Sequence, residues 1–288
     1  MKAIVISPVN RKGGVGKSSS VFHLGGYFAS RGMKVLLIDN EPQHSLTNGF
    51  IGPDAADKLL PHQTTAALFD ERYSAKPQDL IFPTQVKGID LVYGSNELDR
   101  FNGPPDLMPT SMQLAIKKFV DQVKDKYDFI LIDNPPNLQL CTYSSLAASD
   151  VAYCIVQPQE FDVQGLVPVQ RAVDAVLRST NPGLRFAGYL LNQVDGRLSL
   201  HQVYESILRQ AYGSKVFLQT IPKLVAYAEA VSARQPVSFY RPKSPAATVI
   251  QSVAKELSVR VIELYKRPPE LQAQGRSKPA RIKEETTT

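Results

Sequence analysis

Asn10-Arg11-Lys12-Gly13-Gly14-Val15-Gly16-Lys17-Ser18-Ser19 is the stretch whose reading decides the fold. The apolar run Ala3-Ile4-Val5-Ile6 precedes it, and Ser20-Val21-Phe22-His23-Leu24 can continue it as a helix. Strand, glycine-rich loop and helix, in that order, gather backbone N–H groups and a helix N-terminus around an anion. Gly13, Gly14 and Gly16 permit the unusual φ values that such a nest needs. Lys17 then supplies a point charge to β- and γ-phosphates, and the Ser18 hydroxyl a ligand for Mg²⁺. The usual phosphate-loop pattern has a glycine where this chain has Arg11, and a second lysine, Lys12, stands beside it.

The 288 residues, 43% apolar and 21% charged, suffice for a sizeable α/β core. No apolar run is long enough to span a bilayer, and the short first strand runs straight into Arg11-Lys12 rather than into a signal-peptide cleavage site. Cys141 and Cys154 make neither a disulfide framework nor a metal-ligand cluster, so a cytoplasmic, reduced protein is expected. The net charge of +6 is lopsided. Residues 1–191 carry 18 Lys/Arg against 19 Asp/Glu, whereas residues 192–288 carry 15 against 8, a balance of −1 and +7. An anionic partner for the C-terminal third follows from that split.

Along the chain, Ala3–Val9 reads as a buried parallel strand, Ser18–Arg31 as a helix closed by Gly32, and Lys34–Asp39 as a second strand. Thr64–Arg72 is expected to be helical, Ile89–Tyr93 a strand, and Met112–Lys126 a helix. Tyr127–Asp133 is another apolar strand ending on a carboxylate, followed by Asn134-Pro135-Pro136. Val151–Val156, then a helix over Val163–Thr180, a strand over Phe186–Leu191 and a helix over Leu200–Tyr212 complete the alternation. A last helix runs from Ser244 to Lys266. Strands ending on carboxylates place them at the sheet edge where open α/β folds bind ligands. The expectation is a doubly wound, mostly parallel sheet flanked by helices over residues 1–266, with a polar, disordered tail over 267–288.

Lys12-Gly13-Gly14-Val15-Gly16-Lys17-Ser18 resembles the deviant Walker A motif of the ParA/MinD family. Asp39-Asn40-Glu41-Pro42-Gln43 resembles the switch I segment of its ParA branch, with Glu41 where the family has a second aspartate. Asp133-Asn134-Pro135-Pro136 looks like its switch II, and Ile221-Pro222-Lys223 its later Ile-Pro segment, with Lys223 for the usual arginine and Ala226 where many relatives are basic. The match covers roughly residues 3–265, and because the chain starts on its first strand, no helix-turn-helix domain and no specific operator binding are expected.

The resemblance implies an ATPase that binds ATP and Mg²⁺ and dimerises with itself on ATP. Lys12 would cross to the partner's nucleotide, Glu41 and Asp39 would serve catalysis, and Ser18, Asp39 and Asp133 would hold Mg²⁺, partly through water. Lys12 to Ser19 would cradle the phosphates, with Val15 and Ser19 among them, while Asn192 and Pro222 would border the base. The dimer would bind DNA non-specifically on the nucleoid, answer to a ParB-like activator and need no membrane. Lys223, Arg234, Arg241, Lys243 and Arg209 are the DNA-contact candidates. Three other classes share the fold. A MinD-type membrane ATPase needs an amphipathic end, but after Lys266 the only large aliphatics are Leu271 and Ile282. A nitrogenase-type iron protein needs two cluster cysteines in loops, whereas Cys154 falls in a predicted strand. A metabolic ATP-dependent enzyme needs a second substrate pocket, which no motif supplies.

Overall fold

Val35–Asp39, Val151–Val156 and four of the five residues of Phe129–Asp133 are buried. Continuous burial of that kind belongs to parallel strands covered on both faces. The computed structural model describes residues 2–159 and 166–266. Among them are β1 (Ile4–Val9), β2 (Val35–Asp39), β3 (Phe82–Pro83), β4 (Ile89–Val92), β5 (Phe129–Asp133), β6 (Val151–Val156), β7 (Arg185–Val194) and β8 (Ile221–Pro222). They form one sheet in the order β3-β4-β2-β5-β1-β6-β7-β8, parallel throughout except where β3 meets β4.

Alternation along each strand sends successive side chains to opposite faces. Leu37 and Leu131 pack under α1 (Lys17–Ser30) and the Pro245–Lys266 helix, with Phe22, Phe28, Ile250 and Leu257. Leu36, Ile38, Ile130 and Ile132 meet Ile116, Phe119 and Val123 of the Ala115–Val123 helix on the other face. Each such side chain contributes about 1.5–3 kcal/mol on burial. The expected doubly wound sheet is thus the observed one, and it brings the ends of β1, β2, β5, β6 and β7 to a common edge.

Four local expectations change. Thr64–Arg72 is not an α-helix but contains the 3₁₀ turn Thr65–Leu68, because Thr64 and Thr65 turn their hydroxyls onto the carbonyls of Pro61, Asp39 and Tyr93. Met112–Lys126 breaks at Leu114 into Thr110–Gln113 and Ala115–Val123. β7 runs on to Val194, which puts Asn192 inside the strand rather than in a loop. The predicted Val163–Thr180 helix is seen as Val167–Arg178; its predicted start and the predicted tail lie outside the described residues. No described helix is long and apolar enough to cross a membrane.

Candidate active site

β1 delivers the chain to Asn10, whose buried amide donates to the Ile155 carbonyl at 2.6 Å and accepts the Lys12 N–H at 2.9 Å. The loop then turns through Gly14 at φ +72° and Gly16 at φ +94°, and α1 begins at Lys17. Gly16 must be glycine for a second reason: a Cβ there would lie 2.1 Å from Asn192 Nδ2. The turn opens a cavity of about 440 Å³ lined by Gly13, Gly14, Gly16, Lys17, Ser18 and Ser19. Glu41, Gln43, Ser45, Leu46 and Gly49 form its second wall, Asn134 and Pro136 its third, and Phe22 and Val231 its apolar part. Segments that follow β1, β2 and β5 therefore meet here, as the order of motifs implies.

The charged groups differ in accessibility and task. Lys17 is buried, its ammonium 3.4 Å from the Lys12 carbonyl. Burial holds its pKa below the usual lysine range, against the pull of Asp133 and Glu41. An anion in the cavity supplies what this charge lacks. Burial likewise lifts Glu41 above the usual carboxylate range, opposed by a backbone N–H and by Lys17. Asp133 and Asp39 are fully buried and stand opposite each other in the β5–β2 register. Burial raises Asp133 from 3.8 to about 7, while the nearby Ser18 hydroxyl acts the other way. Its Oδ2 is buried without a hydrogen-bond partner among the described residues, as is Asn134 Oδ1. A hydrated Mg²⁺ beside Ser18 fits that donor set, since Mg²⁺ keeps waters that can donate to both oxygens.

Asp39, expected as a catalytic and Mg²⁺-binding acid, has its carboxylate engaged by the segment that follows it. Like Asp133, it lies behind the lining of the cavity rather than on it. Its Oδ2 accepts from the Thr47 N–H and hydroxyl, both at 2.7 Å, and its Oδ1 from the Glu41 N–H at 3.3 Å. Thr47 Oγ1 in turn accepts the Gly94 N–H at 2.8 Å. These bonds pin both ends of the segment that carries Glu41, and α2 (Ser45–Ile51) continues from it. Asp39 thus holds the segment in place. Its pKa is raised by burial and then by Asp133.

The buried carboxyl of Asp133 links stability to pH. A carboxyl raised on folding contributes stability that is present below its unfolded value and is lost as pH rises through its folded one. For Asp133 that window runs from 3.8 to about 7. Asp133→Asn should therefore melt several degrees above the parent at about pH 8 without nucleotide or Mg²⁺, the gap closing toward about pH 4. Scanning calorimetry across that range checks it; a gap independent of pH would contradict the burial account.

Lys12 is exposed and precedes Gly13, the first loop residue that lines the cavity. Asn192 is buried and directs Nδ2 to the Val15 carbonyl at 2.7 Å, and Pro222 ends β8 next to it. Of the basic candidates, Arg209 is used by the fold: it pairs with Glu205 at 2.7 Å and donates to the Phe217 and Leu218 carbonyls. Arg241 pairs with Glu229 at 3.0 Å, both half-exposed. Lys223, Arg234 and Lys243 are exposed and have no ion pair among the described residues. Thr47, Asn10, Gln157 and Gln193 belong to the site without having been singled out by sequence; only the polar residue types at strand ends hinted at them.

A family model described as an AAA domain matches residues 1–186. The sporulation initiation inhibitor protein Soj of Bacillus subtilis is 34% identical over 256 residues, covering 88% of this chain and 98% of that one. The chromosome-partitioning ATPase Soj of Thermus thermophilus is 31% identical over 261 residues, covering 90% and 96%. The chain belongs to the ParA/MinD family, on its Soj-like branch. It is an ATPase of the partition type. Cobyrinic acid a,c-diamide synthase from Mycobacterium smegmatis, solved with an ATP analogue and magnesium, shares the fold at a TM-score of 0.73 and 23% identity, over 88% of this chain and 93% of that one.

Proposed function

We propose that this ATPase is a nucleotide-driven DNA-binding switch that positions or segregates a DNA molecule or other large cargo. ATP with Mg²⁺ occupies the cavity, with Gly13 to Ser19 around the phosphates and Lys17 as their buried counter-charge. Ser18 and Asp133 hold the metal, which neutralises charge on the phosphates. The base lies toward Asn192 and Pro222, outside the lined part of the cavity, with the Asn192 amide group held by the Val15 carbonyl. Two subunits meet across their cavity mouths, where Lys12 of each reaches the nucleotide of the other. Glu41 orients the attacking water, and Asp39, through Thr47, fixes the segment that carries it. Phosphoryl transfer to water needs mainly this positioning and charge neutralisation. Hydrolysis separates the subunits, and a ParB-like partner accelerates it.

The observation that carries the DNA half is where the uncompensated charge sits. Arg234, at φ +55°, lays its guanidinium over Gly52, so closely that a Cβ there would lie 2.3 Å from Nη2. Gly52 closes α2, whose Ser45, Leu46 and Gly49 line the cavity. Gln85 donates both to the Phe50 carbonyl at the end of α2 and to the Arg234 carbonyl. Arg234 thus packs against the end of the helix whose first turns line the cavity, which supports a DNA affinity that depends on the nucleotide.

Each phosphate neutralised contributes about 0.9 to the slope of log K against log salt. Lys223→Gln and Arg234→Gln should each weaken binding to all duplex sequences alike and flatten that slope by about 0.9 for every phosphate left without its cation. Lys118→Gln, on the opposite face of the sheet, should leave it unchanged. A slope insensitive to all three places the DNA elsewhere.

A further inference from the structure

Amide side chains from the ends of β6 and β7 converge on the carbonyls of the phosphate loop. Gln157 Nε2 donates to the Gly14 carbonyl at 3.0 Å and to Gln193 Oε1 at 2.7 Å. Gln193 Nε2 donates to the same Gly14 carbonyl at 2.9 Å, and Asn192 Nδ2 to that of Val15 at 2.7 Å. None of the three lines the cavity.

A trans peptide directs its C=O and N–H to opposite sides, and no described peptide bond is cis. Drawing the Gly14 and Val15 carbonyls toward β6 and β7 therefore turns the N–H groups of Val15 and Gly16 toward the cavity. An unbraced glycine-rich loop would choose among many orientations, and ordering it would weaken anion binding. Gln193 itself sits at φ +57°, a left-handed conformation that costs a residue with a side chain. Such strain persists where the surroundings over-determine it and where it serves a site.

We propose that Gln157 and Gln193 form an amide clamp that presets the N–H groups of the phosphate loop for a polyphosphate. Both are positioning residues for ATP binding and touch neither the nucleotide nor the attacking water. The clamp rests on the reading that ATP occupies this cavity, and it assigns to two residues outside every family motif quoted above a role in nucleotide affinity. Gln157 also supplies a donor to each of the other two members, Gly14 and Gln193, so removing either glutamine loosens both bonds to the loop.

Gln193→Gly separates the clamp from mere packing. It removes the amide but relieves the left-handed strain, so the nucleotide-free variant should melt no lower than the parent. Titration calorimetry with ATP and with inorganic pyrophosphate should show both dissociation constants raised about tenfold, as the removal of two neutral hydrogen bonds implies. The KM for ATP should rise by a similar factor with kcat within about twofold, since the interaction is made before as well as in the transition state. Gln157→Met, close in size and neutral but without an N–H donor, should show the same loss of affinity for both ligands. Parent-like affinity for both ligands in the two variants overturns the clamp, as does a fall in affinity that merely tracks a fall in melting temperature. A parent protein that fails to bind ATP overturns the nucleotide reading beneath it, and the two failures are told apart by that single control.

Discussion

Lys17→Ala abolishes ATP binding, lowering affinity at least about a hundredfold, whereas Lys12→Ala leaves the affinity of a single subunit nearly intact. The difference follows from burial. Lys17 is enclosed between the loop and the carboxylates of Asp133 and Glu41, with its pKa depressed by desolvation. Charge–phosphate interactions made in such a dry setting are worth several kcal/mol when one partner is removed. Lys12 is exposed, and its own subunit gives its ammonium no ion pair among the described residues. Its removal should instead abolish ATP-dependent dimerisation and slow hydrolysis. Equilibrium nucleotide binding and light scattering on both variants measure the two effects separately. An equal fall in ATP affinity in both would end the assignment of Lys12 to the partner's nucleotide.

Glu41→Gln should slow hydrolysis by about a hundredfold or more while ATP still binds, leaving a long-lived ATP dimer. Glu41 is the carboxylate on the cavity wall, whereas the Asp39 carboxylate is occupied by Thr47 and the Glu41 N–H. Glutamine keeps the size and the segment's backbone bonds but cannot hold water with a negative oxygen. Asp39→Asn should lose activity differently, through a displaced segment: the amide has one acceptor oxygen, so its NH₂ faces either the Thr47 donors or the Glu41 N–H. Single-turnover hydrolysis decides between them. Parent-rate turnover by Glu41→Gln would transfer the water to another group.

Much of this site was legible because its signals are local. The loop from Lys12 to Ser18, and strands whose apolar runs end at Asp39 and Asp133, can each be read within about ten residues. The brace around the loop was not legible for the opposite reason. Gln157 and Gln193 meet Gly14 across 143 and 179 residues of sequence, and a glutamine at a strand end has no distinctive local pattern. α2 was missed because His44 at φ +42° and Gly49 disguise a helix start and interior, while Thr47 and Leu46 are fixed by tertiary packing. The expected Thr64–Arg72 helix failed when threonine hydroxyls found long-range carbonyls. The basic C-terminal third was visible as net charge, but which residues remain available was not. Arg209 and Arg260 pair with acids one helical turn away and also donate to carbonyls that only the fold brings to them, and Arg241 pairs with Glu229 across a turn of the chain.

Nucleotide state should control DNA binding, and a salt titration of duplex binding, followed by polarisation with ATP, with ADP and without nucleotide, measures that most directly. Dimerisation doubles the phosphates that the protein can engage on one duplex and adds avidity. The ATP state should therefore bind most tightly and show about twice the salt slope of the other two, on every duplex sequence tested. Equal affinity in all three states, or no binding in any of them at low salt, would contradict the switch.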